Sequence, residues 1–159
     1  MKAVIVYDTL YGNTEQIARA IGAALSERME VRLLLAGDTD AVDLQPLDLL
    51  LVGGPTQRHG ISPPLHTLFD HLAERSVAGA PAAAFDTRYR QAGWLTGSAA
   101  KDIARYLQAR GCALLLPPES FFVAGKEGKL AEGEVARAGE WARAILTAME
   151  RRVQPAPTT

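Results

Sequence analysis

The chain has 159 residues, of which 48% are hydrophobic: enough for one well-buried domain and short of two. Seventeen basic against eighteen acidic side chains give a formal net charge of −1, which removes any general electrostatic ground for nucleic acid or an anionic membrane as partner. A lone Cys112 excludes an internal disulfide, and with neither a leader-like start nor an apolar run of bilayer length the expected compartment is the cytoplasm.

Residues 3–7, Ala-Val-Ile-Val-Tyr, form a continuous apolar run of the kind seen in a strand covered on both faces. Ile17, Ala18, Ile21, Ala24 and Leu25 then recur at helical spacing, which predicts a helix over about residues 13–28. Val31, Leu33 and Leu35 predict a second strand, broken at Gly37-Asp38-Thr39-Asp40. Residues 47–53, bounded by Pro46 and by Gly53-Gly54-Pro55, read as a central strand. Ser62-Pro63 marks a helix start, and Leu65, Leu68, Phe69 and Leu72 supply its buried stripe.

Residues 82–85 predict a fourth strand, after which Ser98 caps a helix with Ala100, Ile103, Ala104 and Leu107 on its inner face and Gly111 at its close. A fifth strand begins over residues 113–116, is interrupted at Pro117-Pro118, and resumes through Phe121, Phe122 and Val123. Val135, Ala138, Ala142, Ile145, Leu146 and Met149 line a last helix, beside which Trp141 is expected in the core. The expected organisation is a single domain over residues 1–150, followed by a disordered tail over 151–159. Cys112, followed by three leucines, reads as a small buried apolar residue, and His66 and His71 as helix surface, with no metal ligands apparent.

Asp8-Thr9-Leu10-Tyr11-Gly12-Asn13-Thr14 joins the first strand to the first helix. The unpaired amides and positive dipole end of a helix converge at such a junction, which suits an anion. Gly12 allows close approach, Thr9 and Thr14 offer hydroxyls, and Asn13 is placed to act as N-cap with Gln16 as its capping-box partner. The loop contains no Lys or Arg, and neither Gly-x-x-x-x-Gly-Lys-Ser/Thr nor Gly-x-Gly-x-x-Gly is present, so a single terminal phosphate is the fitting ligand.

Residues 7–15, Tyr-Asp-Thr-Leu-Tyr-Gly-Asn-Thr-Glu, closely resemble the phosphate loop of the flavodoxin family, and also that of the flavin domain of flavodiiron proteins. The resemblance runs over about residues 2–150. It implies an α/β fold with a doubly wound five-stranded parallel sheet in the order 2-1-3-4-5, as in flavodoxin, and FMN as cofactor. Response-regulator receivers share this architecture, but the acidic and lysine strand ends they need are replaced here by Val52-Gly53-Gly54-Pro55 and Leu116-Pro117-Pro118.

Three loops should then meet at one sheet edge. The resemblance implies cofactor contacts from Thr9, Leu10, Tyr11, Gly12, Asn13 and Thr14 in the first, and from Pro55, Thr56, Gln57, Arg58, His59 and Gly60 in the second. The third contributes Asp86, Thr87, Arg88 and Trp94, with Trp94 preferred to Tyr89 as the residue stacking on the flavin. Flavodoxins commonly place an aromatic after the Pro-Thr of loop two, where this chain has Gln57, Arg58 and His59.

The function taken forward is an electron carrier whose partners are a reductase and an acceptor protein, with no catalytic protein residue. Alternatives are an NAD(P)H oxidoreductase acting on a quinone or similar small molecule, and a flavodoxin-like binding module without flavin. Reduction adds negative charge near the flavin, so a guanidinium at position 58 stabilises the reduced form. The midpoint potential of Arg58→Ala, measured by spectroelectrochemistry, is therefore expected to fall below that of the parent; an equal or higher value refutes this role.

Overall fold

Alternation along β1 (Lys2–Tyr7) decides the layering of the molecule. Ala3, Ile5 and Tyr7 point into one hydrophobic cluster and Val4 and Val6 into another, so the strand is covered on both sides. The computed structural model describes residues 1–40, 44–57, 60–74, 77–90, 97–124, 128–154 and 156–157. On one side of the sheet lie α1 (Asn13–Leu25) and α4 (Glu134–Val153), bringing Ile17, Ile21, Trp141 and Ile145 to the first cluster. On the other lie α2 (Pro63–Glu74) and α3 (Ala99–Ala109), with Leu65, Phe69, Ile103 and Leu107 in the second.

The strand ladders among the described residues are parallel. β1 is flanked by β2 (Glu30–Leu35) and β3 (Leu49–Pro55), and β3 pairs in turn with β4 (Pro81–Tyr89). The far lane is shared by β5 (Ala113–Leu114) and β6 (Glu119–Val123), both paired to β4, so five lanes follow the order 2-1-3-4-5. The interruption predicted at Pro117-Pro118 is present: the last ladder bond before it runs from the Leu115 amide to the Ala82 carbonyl at 3.0 Å, and prolines have no amide with which to continue. Trp141 is in the core as expected, edge-on to Phe85 and Phe121 with ring centroids 6.0 Å away in each case.

Several boundaries differ from the sequence reading: β3 is shifted to Leu49–Pro55 from residues 47–53, and the two pieces of the far lane are Ala113–Leu114 and Glu119–Val123. α1 ends at Leu25, short of residue 28, where the Ser26 hydroxyl folds back on the Gly22 carbonyl at 2.7 Å. β4 continues past Phe85 to Tyr89, so Asp86, Thr87 and Arg88 belong to a strand; β6 pairs with that extension, overriding the weak strand propensity of the segment. α4 runs to Val153, into the segment assigned to the tail.

Gly53 makes the β3–β4 contact possible beneath the carboxyl edge. A Cβ there would fall within the Phe85 ring, which is fully buried and held by Phe121 and Trp141. Gly53→Ala is expected to destabilise the fold by about 1–3 kcal/mol through overpacking, read as a lowered urea midpoint at unchanged slope.

Candidate functional site

The register Tyr7 to Gly53 and Gly53 to Phe85 puts the carboxyl ends of β1, β3 and β4 side by side, and the Asp8 amide extends this with a bond to the Gly53 carbonyl at 3.1 Å. After β1 the chain turns into α1 through Gly12, whose φ of 88° is open to glycine at little strain. The Gly12 amide donates to Thr9 Oγ1 at 3.0 Å, closing the loop, and the Gln16 amide takes the Gly12 carbonyl at 3.1 Å. Asn13, Thr14 and Glu15 therefore present first-turn amides that have no intrahelical acceptor.

Asn13 is not the N-cap anticipated from sequence. The left-handed cap position falls on Gly12 with no side-chain cap, and buried Asn13 instead donates through Nδ2 to the Gly128 carbonyl at 2.8 Å, tying the loop to the segment after β6. Thr14, also buried, shares a 2.8 Å hydrogen bond between its hydroxyl and that of Thr87. Loop two begins at Pro55. The Thr56 amide donates to the Thr87 carbonyl at 3.0 Å, and Gln57 and Gly60 close a reciprocal turn at 3.1 and 2.7 Å.

One cleft collects these parts. It is lined by Thr9, Leu10, Tyr11, Asn13 and Thr14 from the first loop, Pro55, Thr56 and Gln57 from the second, and Thr87 and Arg88 from the end of β4. Tyr89 and Val123 complete it. Gly12 shapes the cradle through its backbone, whereas Gly60 and Asp86 lie off the lining, Asp86 being fully buried. Arg58, His59 and Trp94 lie outside the described residues. Val123 was not anticipated in the site; its position at the end of the apolar run after the prolines, on the same carboxyl edge, is the signal that would have found it.

The cleft is walled by hydroxyls, amides and apolar carbons, with Arg88 as its only basic lining residue among those described. Arg88 Nε donates to Ser120 Oγ at 3.0 Å, and its guanidinium lies 5.5 Å from the Phe122 ring centroid. No group of three or more potential metal ligands occurs among the described residues, and none of the described helices is long and apolar enough to cross a membrane. A cradle of three helix-terminal amides around an open glycine, with hydroxyls beside it, fits a phosphate monoester; the apolar and aromatic remainder fits a planar ring.

Solved structures with the same architecture include an archaeal flavodoxin, at a TM-score of 0.76 and 21% identity over 94% of this chain and 99% of that one. Flavodoxin 2 of Bacillus cereus aligns at 0.78 and 23% identity, covering 92% and 99% of the two chains. Rubredoxin:oxygen oxidoreductase of Desulfovibrio gigas aligns at 0.79 and 19% identity over 97% of this chain but 37% of the other. An uncharacterised protein of Methanocaldococcus jannaschii is 36% identical over 75 residues, a match spanning 44% of this chain and 19% of that protein. The fold is thus of the flavodoxin class. The flavodoxin family model matches residues 5–141, and the chain belongs to the flavodoxin family, whose members are flavin electron-transfer proteins.

Beside the cleft, β6 is held by a part-buried ion pair. Glu134 accepts the Phe122 amide at 2.8 Å and Arg137 at 2.7 Å, while Arg137 also reaches Glu119 at 2.9 Å and the Ser120 carbonyl. The Arg137 hydrogen bond, opposed by burial and aided by the Phe122 amide, holds the Glu134 carboxyl below its ordinary 4.5. A depressed folded-state value stabilises fully above the unfolded one and is lost as pH falls through the folded one. Acid unfolding of Glu134→Gln is therefore expected to show a shallower loss of stability below about pH 4.5 than the parent, with a lower stability at neutral pH; equal slopes in paired denaturation curves refute the linkage.

Proposed function

We propose that this protein binds FMN in the cleft and carries electrons between a reductase and an acceptor protein. The observation that carries the reading is the meeting of a glycine-capped, amide-lined helix start with Thr56, Gln57, Thr87 and Tyr89 in one cleft at the carboxyl edge. The loop of residues 9–14 would hold the phosphate, its charge met by the helix dipole and by the Thr9 and Thr14 hydroxyls, since no basic side chain is available within the loop. Pro55, Thr56 and Gln57 on one side and Thr87, Arg88 and Tyr89 on the other would flank the ring system, with Arg58, His59, Gly60 and Trp94 completing the two loops. Bound FMN supplies one- and two-electron redox chemistry. The protein's share is to bind, orient and set the local field, and no protein nucleophile or acid–base pair is required of it. The single, buried Cys112 accords with a reducing cytoplasm.

Purified protein is expected to be yellow or to take up added FMN, and the flavin released on denaturation to be FMN by chromatography. Thr14→Ala should weaken FMN binding about tenfold by removing one hydroxyl, and Gly12→Asp more strongly, because it places a carboxylate beside the phosphate on a backbone that disfavours side chains. Colourless protein that binds no FMN, or unchanged affinity in both variants by fluorescence titration, overturns the assignment. Turnover of NAD(P)H with a quinone by the protein alone favours the oxidoreductase alternative over a carrier.

A further inference from the structure

Asp86 is an unusual residue for the middle of a covered strand. It is fully buried, no ion pair includes it among the described residues, and strand interiors are depleted in aspartate. Its Oδ2 accepts three hydrogen bonds: from the Thr56 hydroxyl at 3.1 Å, the Ser98 hydroxyl at 2.9 Å and the Ala100 amide at 2.9 Å. Thr56 Oγ1 in turn accepts the Ala99 amide at 3.1 Å, so loop two and the first turn of α3 are closed on one oxygen. Its Oδ1 is buried with no hydrogen-bond partner among the described residues.

Packing alone does not call for an acid here. Ser98 already caps α3 by accepting the Lys101 amide at 3.3 Å, and burying an acid without a cationic partner opposes folding. What the acid does have is location. Thr56, which it binds, and Thr87, its neighbour in β4, both line the cleft, so the carboxylate stands one residue behind the wall in a low-dielectric setting.

We propose that Asp86 is the positioning residue of the cleft, clamping loop two to the start of α3, and that its fixed charge lowers the flavin's midpoint potential by opposing the negative charge that reduction adds. The potential part of the inference rests on the FMN reading; the clamp does not. Asp86→Asn keeps an acceptor for the three donors and removes the charge, while Asp86→Ala removes both. Ser98→Ala loosens the clamp and keeps the charge.

In FMN-loaded protein, spectroelectrochemical titration of Asp86→Asn is expected to give a more positive midpoint potential, equivalent to tighter binding of the reduced cofactor relative to the oxidised one by on the order of tenfold. Ser98→Ala should shift it by less. In the flavin-free protein, amide hydrogen exchange at Ala99 and Ala100 should be slow in the parent and in Asp86→Asn, and faster in Asp86→Ala and Ser98→Ala. A potential in Asp86→Asn equal to or below the parent's, or an equal shift in Ser98→Ala, overturns the electrostatic role while leaving FMN binding intact. Unchanged exchange in Asp86→Ala and Ser98→Ala overturns the clamp. Failure of the parent to bind FMN refutes the function proposed above and leaves the exchange measurement to decide the clamp.

Discussion

Parallel pairing of β1 with β3, and of β3 with β4, directs three strands to one edge, and every polar group in the cleft derives its place from that alignment. Such pairing demands helical crossovers on both faces, which explains why β1, most of β3 and the first half of β4 are apolar and why α1 must start directly above the edge. Gly12 completes the arrangement by turning the chain at positive φ, leaving the first helical amides facing outward with no side chain to satisfy them. A cradle suited to an anion follows from backbone geometry alone.

Around that cradle the protein uses hydroxyl and amide hydrogen bonds rather than salt bridges. The Thr14–Thr87 hydroxyl pair joins α1 to β4, the Thr56 amide bonds the Thr87 carbonyl, and Thr56 and Ser98 both reach Asp86. The three cleft segments are thereby one continuous polar network laid over two hydrophobic clusters. Among the described residues Arg88 is the charged residue on the lining, and Asp86 is buried directly behind it.

Most of this arrangement was legible in the residues. The apolar runs of β1 and β3 and the stripes of α1, α2 and α4 are periodic signals that tertiary context reinforces, and the Pro117-Pro118 break is a covalent fact about a missing amide. The extension of β4 through Asp86, Thr87 and Arg88 was not legible, because polar residues enter a strand there only through pairing with β6, a contact more than thirty residues distant in sequence. The Asn13 cap failed for a similar reason: its side chain has a distant partner at Gly128, and Gly12 takes the cap position by virtue of its backbone freedom. In the cleft, the ten lining residues anticipated from sequence came from loops with local signatures, while Val123 depends on which strand ends lie adjacent.

The split far lane bears on how molecules of this protein meet each other. An edge strand normally offers a row of unpaired amides and carbonyls to a second chain. Here β5 is two residues long, prolines follow it, and the outer side of β6 is already engaged: Glu134 takes the Phe122 amide, the Ala131 amide takes the Phe122 carbonyl at 2.9 Å, and Val123 bridges to Leu130. Among the described residues the outer groups of Phe122 and Val123 are already taken by the chain itself, which disfavours addition of a second strand along β6 and leaves β2 as the other border of the sheet.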